Sequence, residues 1–156
     1  YRRSLADDPT ADVPLREEFA LQKLCLDIEA IRFPQRLRAV YELPRELEDA
    51  RVPGMILQPL IENSVKHAVA PTSGRVTVRL SAREEYGRLV IEVSDDGQGT
   101  GIRDGMRPGY GIGLANVRER IEARFGGDAQ IVSGATESGY STQMRLPLVQ
   151  HVEDDG

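Results

Sequence analysis

Seven of the 15 glycines in this 156-residue chain fall between positions 97 and 113. Glycine at that density carries a large backbone entropy cost and offers no side chain to pack, so the segment cannot be the interior of a helix or strand. It must be a loop, or a place where something approaches the backbone closely. Regular patterns flank it. Ahead of it, residues 75–82 (RVTVRLSA) alternate Val76, Val78, Leu80 and Ala82, and residues 88–94 (RLVIEVS) alternate Leu89, Ile91 and Val93. Alternation of this kind marks half-buried strands, and the short link from Arg83 to Gly87 predicts an antiparallel hairpin. Behind it, Leu114, Val117, Ile121 and Phe125 share one stripe of a helix expected over 112–125, which Gly126-Gly127 stops.

The rest of the chain falls into similar units. Residues 6–14 read as a linker. A helix is expected from Leu15 to about Phe33, with Leu21, Leu24, Ile28 and Ile31 as its core-facing stripe. Pro14 before it and Glu17 and Glu18 in its first turn suit a helix start. Residues 36–43 alternate as a strand. Met55 to about Val69 is the next helix, with Leu57, Leu60, Ile61, Val65 and Ala68 on its apolar stripe and Pro59 confined to its first turn. Strands near 129–133 and 141–147 complete the order, and the acidic tail from Gln150 is expected to fray. Strand pairs without intervening helices imply a mixed or antiparallel sheet. Helices with a single apolar face then pack on one side of it, giving an α+β two-layer sandwich.

Composition narrows the function. A formal charge of −5 argues against nucleic acid and anionic membrane as partners, since both want a basic face. Cys25 is alone, and His67 and His151 lack a zinc-like spacing, so neither a disulfide framework nor a thiolate metal site is expected. No apolar run approaches the ~20 residues that span a bilayer. The chain begins Tyr1-Arg2-Arg3 without Met or an apolar leader, so the expectation is a cut into a longer, cytoplasmic polypeptide.

Three segments carry chemistry. In V93-S-D-D-G-Q-G-T-G101, Asp95 ends a strand, placed to accept a hydrogen bond from a donor such as an exocyclic amine, while Gly97, Gly99 and Gly101 leave room for a close approach. In Gly109-Tyr-Gly111-Ile-Gly113-Leu-Ala-Asn116, glycines open a helix whose unpaired N–H groups and dipole suit phosphate. No strand directly precedes this cluster and no Gly-Lys-Ser/Thr follows, which sets aside the Rossmann and P-loop patterns. In L57-Q-P-L-I-E-N-S-V-K-H-A68, Asn63, Lys66 and His67 lie off the apolar stripe and neighbour one another. Asn63 offers a neutral oxygen to a hard cation such as Mg²⁺, Lys66 a point charge to phosphate, and His67 a donor or a packing surface. Each segment alone reads equally as an ordinary loop or solvated face. Together they describe a pocket with adenine, metal and phosphate contacts.

LQPLIENSVKHAV resembles the N box, VSDDGQGTG the G1 box and GYGIGLANVRERI the G2 box of the GHKL ATP-binding superfamily, which includes gyrase, histidine kinases and MutL. LREEFALQKLCLDIEAIRFPQRL and the QPLIEN wording are most similar to LytS/YehU-type sensor histidine kinases. The resemblance runs from about Tyr1 to Leu148. It implies a Bergerat fold, with residues 1–14 as the tail of a dimerisation helix and a linker, 15–149 as the catalytic and ATP-binding domain, and 150–156 as an acidic tail. It implies ATP and Mg²⁺ as ligands. Asn63 would ligate Mg²⁺, Lys66 and His67 face the phosphates, and Asp95 read the adenine amino group. Gly97 and Gly99 would admit the base, residues 100–110 form a lid, and Gly111, Gly113 and Leu114 hold the triphosphate. Glu62, beside Asn63, is the acidic residue for a metal-bound water or proton transfer, and Lys66 shares the catalytic assignment. Pro59 stands where gyrase-type ATPases carry the glutamate that activates water, Tyr140 where Thr is frequent, and Asp96 where Asn is common. The implied activity is transfer of the γ-phosphoryl group of ATP to a histidine on a dimerisation helix of the same protein, upstream of Tyr1, and thence to a response regulator. The alternatives are a GHKL serine kinase of the anti-sigma type and a non-catalytic nucleotide-sensing module.

Overall fold

The computed structural model describes residues 11–97 and 110–150, with side chains of the last helix from Leu114 onward. The elements in order are β1 (Asp12–Pro14), α1 (Leu15–Arg32), β2 (Leu37–Glu42), β3 (Arg51–Pro53), α2 (Gln58–Ser64), β4 (Val76–Glu85), β5 (Arg88–Asp95), α3 (Tyr110–Phe125), β6 (Gln130–Ala135) and β7 (Tyr140–Pro147). The main sheet has five strands in the order β2-β4-β5-β7-β6. β2 runs parallel to β4, and the other three pairings are antiparallel. The sheet is therefore mixed, as the strand pairing in the sequence implies. β4 and β5 meet through Tyr86 and Gly87, both at positive φ (53° and 79°), the backbone of a tight two-residue hairpin turn.

One face of the sheet is the core. Val76, Val78, Leu80, Leu89, Ile91, Val93, Met144 and Leu146 point toward the helices and join them in one buried cluster. α2 and α3 insert as expected: Leu57, Leu60, Ile61, Val65 and Ala68 are buried, and so are Leu114, Val117 and Ile121. The other face stays polar. There Arg83 pairs with Glu85 and with Glu92 (3.2 Å), and Arg145 with Glu85 (3.0 Å). Val90 is fully buried between its strand partners Arg83 and Arg145.

Two expectations are corrected. The first concerns residues 6–14. Asp12–Pro14 is not linker but a short strand, paired antiparallel with β3, a strand that no alternation announces. Three residues are too few for a period to show. The second concerns α1. Leu21, Leu24, Ile28 and Ile31 do not face the core: Leu24, Ile28 and Ile31 are 57, 55 and 78% exposed. The buried face is Leu15, Glu18, Phe19, Gln22 and Leu26. Apolar spacing selects the wrong face because two of the buried positions are polar, and each of those has a hydrogen-bond partner in α2 or in the turn before it.

Candidate nucleotide site

The first of those polar residues sets the start of α2. Met55 adopts a positive φ of 61°, and its N–H and that of Leu57 donate to the two oxygens of Glu18, at 2.9 and 3.0 Å. One carboxylate thus holds the turn that leads into α2, pairing the N–H of Met55 and that of Leu57, the residue just before the helix. Arg120 of α3 donates to the carbonyl of Gly54 at 2.7 Å, tying the same turn to the third helix. Burial raises the Glu18 carboxyl above its ordinary value of 4.5, against the lowering effect of the two backbone donors and Arg120. The folded chain therefore holds the proton more tightly than the unfolded one. The contribution of this group to stability is greatest below pH 4.5 and declines as pH rises through the raised value. Glu18→Gln, which mimics the protonated acid, is expected to gain on the wild type as pH rises from 4.5 toward neutrality. Urea unfolding at a series of pH values checks this, and a wild-type advantage that grows with pH contradicts it.

The second polar residue reaches a candidate catalytic group. Gln22 donates from Nε2 to Gln58 Oε1 at 3.3 Å, the Cys25 thiol donates to the same oxygen at 3.7 Å, and Gln58 Nε2 donates to Glu62 Oε2 at 3.1 Å. Glu62 is exposed, but its carboxylate is held from α1 through Gln58. Asn63 is half-buried one residue on. α2 then widens into a π turn over Val65–Val69, closed by the Ala70 N–H donating to the Val65 carbonyl at 2.9 Å. Such turns recur at functional sites because the extra residue re-aims the side chains on it. Here those are Lys66, which is exposed, and His67, which is half-buried.

The end of β5 meets this turn. Gly97 lies so close to it that a Cβ there would stand 2.5 Å from Ala68 Cβ and 2.8 Å from Ala68 Cα. Asp95 is only 6% exposed, and one carboxylate oxygen accepts the Gly97 N–H at 3.2 Å. Asp96 turns the other way: Oδ1 accepts the Thr77 N–H at 2.7 Å, and its own N–H donates to the Thr77 carbonyl at 3.3 Å. These contacts join the end of β5 to β4, and an asparagine could make them equally. Gly111 and Gly113 lie in the first turn of α3, and Leu114, one residue on, is buried. Gly99 and residues 100–109 of the expected lid at 100–110 lie outside the described residues, and Tyr110, its last position, begins α3.

Three neighbours complete this end of the sheet; the sequence marks Tyr140 as a departure from the family pattern and passes over Thr142 and Gly139. Tyr140 is the register partner of Asp95, is 2% exposed, and has its hydroxyl 3.4 Å from Ser133 Oγ. Thr142, two residues on along the same inward face, is 1% exposed and supplies a buried hydroxyl beside Val93. Gly139 backs the site, since a Cβ there would stand 1.9 Å from the Asp95 carbonyl oxygen. The period of two along β7 carries the signal for Thr142, whereas nothing local distinguishes Gly139 from a turn glycine.

The arrangement is an acidic acceptor at a buried strand end, a glycine-permitted gap against a helix, and a second helix N-terminus after a glycine run. Residues 48–150 match the family model described as histidine kinase-, DNA gyrase B- and HSP90-like ATPase. The chain belongs to this family. This GHKL-type ATPase domain is 31% identical over 148 residues to the sensor histidine kinase BtsS of Escherichia coli K12, covering 94% of the chain and 26% of that protein. It is 34% identical over 118 residues to the sensor histidine kinase YesM of Bacillus subtilis, covering 73% and 20%. The chain thus spans about a quarter of these relatives. Among solved structures, the catalytic domain of the histidine kinase ThkA superposes with a TM-score of 0.66 at 17% identity, covering 88% of this chain and 95% of that one. At that identity the match speaks for the fold: a mixed-sheet α/β sandwich of the kind seen in histidine kinase catalytic domains.

Proposed function

We propose that this domain is the ATP-binding catalytic part of a sensor histidine protein kinase of the LytS/YehU type. Asp95 accepts a hydrogen bond from the adenine amino group, while Gly97 and Gly99 let the base approach. The N–H groups at the start of α3, at Gly111, Gly113 and Leu114, receive the triphosphate. Lys66 and His67 face the phosphates. Glu62, positioned by Gln58, orders a water or takes a proton. Among the described residues, no three His, Cys, Asp or Glu side chains converge to hold a metal by themselves. Asn63 fits instead a cation that binds few protein ligands and keeps waters and phosphate oxygens. Mg²⁺ in that place supplies neutralisation of phosphate charge. The chain's own contribution is placement, which is most of what phosphoryl transfer requires.

The acceptor in this reading is a histidine on a dimerisation helix of the same protein, the next recipient is a response regulator, and the compartment is the cytoplasm. Among the described residues no helix is long and apolar enough to cross a membrane. Pro59, in the first turn of α2, leaves no water-activating carboxylate at its position, which favours transfer over hydrolysis.

The observation that carries the reading is the packing of Gly97 on Ala68, which sets the buried Asp95 beside the helix bearing Asn63, Lys66 and His67. The test supplies γ-labelled ATP and a separate histidine-bearing dimerisation helix from a relative, and follows label into acid-labile phosphohistidine. Label appearing on serine of an added protein instead establishes the serine kinase. By calorimetry, Asn63→Ala is expected to weaken Mg·ATP about tenfold, the scale of one lost metal contact, with little change for ATP in chelator. Equal losses with and without Mg²⁺ contradict the metal assignment.

A further inference from the structure

Arg36 belongs to none of the three boxes, yet its side chain ends on one of them. It lies in the turn between α1 and β2. Its Nη2 donates to the carbonyls of Val69 (2.9 Å), Ala70 (3.1 Å) and Thr72 (2.6 Å). Val69 and Ala70 end the π turn, where a helix leaves carbonyls without partners. A cation there also meets the negative end of the helix dipole. The arm that reaches them is held along its length. Gln35 turns the chain at a positive φ of 63°, the Arg36 N–H donates to the Phe33 carbonyl at 3.0 Å, and the Arg36 carbonyl accepts the Val76 N–H at 2.7 Å. The guanidinium lies over the Phe33 ring, 5.1 Å from its centre.

We infer that Arg36 is a positioning residue for the phosphate end of the site: by gripping the end of the π turn it sets where Lys66 and His67 point. The turn needs such a hold. In an unbroken α-helix Val69 would stand about 120° around from Leu57, at 100° per residue, and so off the core stripe. Val69 is instead fully buried, because the π turn takes in one extra residue on the way round. Turns of this width are rare inside helices, so something outside the helix has to favour this one. The competing arrangement differs by one bond. The Ala70 N–H donates to the Val65 carbonyl at 2.9 Å, whereas in α-helical register it would donate to that of Lys66. Passing from one to the other rotates the peptide units between them and re-aims Lys66 and His67 relative to Asn63. The grip on the Val69 and Ala70 carbonyls favours the wide turn. Among the described residues the hydrogen bonds of the guanidinium go to backbone carbonyls, so Arg36 acts through the turn and not by touching the nucleotide. The positioning role rests on the nucleotide reading of Lys66 and His67; the grip itself does not.

Arg36→Gln removes the charge and shortens the reach, and two measurements read the result. Without nucleotide, amide hydrogen exchange at Ala70, taken relative to the amides of β5, is expected to be at least about tenfold faster in the variant. With nucleotide, calorimetry runs a double-mutant cycle. Arg36→Gln is expected to weaken ATP about tenfold in the otherwise wild-type chain, and by less than about twofold where Lys66→Ala and His67→Ala are already present, because nothing is then left to position. A purely structural role, or a long-range effect of the Arg36 charge, costs the same in both backgrounds. Arg36→Lys keeps the charge and loses the planar group on Phe33. It makes the same comparison with less disturbance and covers the case in which Arg36→Gln does not fold. Equal costs in the two backgrounds, or an Ala70 amide that exchanges no faster in the variants, overturn the inference. A wild type that binds no ATP defeats the nucleotide reading and the positioning role with it. The exchange at Ala70, which needs no ligand, tells that failure apart from failure of the grip.

Discussion

Asp95→Asn is expected to lower the affinity for ATP by at least about 100-fold, the loss of one buried, charge-assisted hydrogen bond with a donor turned against a donor. The substitution is nearly isosteric. Asparagine can still accept the Gly97 N–H that Asp95 accepts at 3.2 Å, so the turn at the end of β5 survives. The melting temperature should therefore move little while binding collapses. A second comparison isolates the atom concerned. Inosine triphosphate carries an oxygen where adenine carries its amino group, so the wild-type domain should prefer ATP by a similar factor, and Asp95→Asn should erase that preference. Calorimetry with both nucleotides checks the pair of statements. Unchanged ATP affinity in the variant, or a wild type that binds the two nucleotides alike, removes Asp95 from the adenine site.

Much of the fold was legible because the periods were long enough to read. β4, β5 and β7 alternate over eight to ten residues, and α2 and α3 carry single apolar stripes that became core, save Phe125, which is half-buried at its edge. The α1 stripe misled for a physical reason. Hydrophobic spacing reports where a helix can bury surface, not which of two faces the rest of the chain will meet. Glu18 and Gln22 are buried because the turn before α2 supplies donors to one and α2 an acceptor to the other, and that supply is not visible within α1. The short pairing of β1 with β3 escaped for want of length. In the candidate site, the glycine runs and the Asn63–His67 cluster were readable because several unusual residue types coincide. What could not be read was what stands behind them. Gln58 is an unremarkable helix residue until its amide is found between Gln22 and Glu62. The place of Thr142 depends on register, and that of Gly139 on a contact 44 positions away in the chain.

That last contact sets the other large effect. Gly139→Ala is expected to destabilise the domain by about 3 kcal/mol, the upper end of what overpacking costs. The size follows from what the new methyl group meets. It would lie 1.9 Å from the Asp95 carbonyl oxygen and 2.8 Å from both Asp95 C and Asp96 Cα, all of them backbone atoms that no rotamer change can move. Relief requires the start of β7 to separate from the end of β5, where Asp95 and Tyr140 are register partners. Binding should then fall together with stability, because the carboxylate proposed to read adenine sits on the strand end that has to move. Gly97→Ala presses on the same site from the other side. Its nearest neighbours are Ala68 Cβ at 2.5 Å and Ala68 Cα at 2.8 Å, so relief moves the strand end away from α2. Gly127→Ala is the control, since a Cβ there meets nothing within 4 Å and φ is not positive. For a chain of this size the expected change for Gly139→Ala is a fall in Tm of about 6–12 °C, against a degree or two for the control. Gly139→Ala with wild-type melting and wild-type ATP affinity would mean that β7 does not press on Asp95, and that this glycine does not shape the pocket.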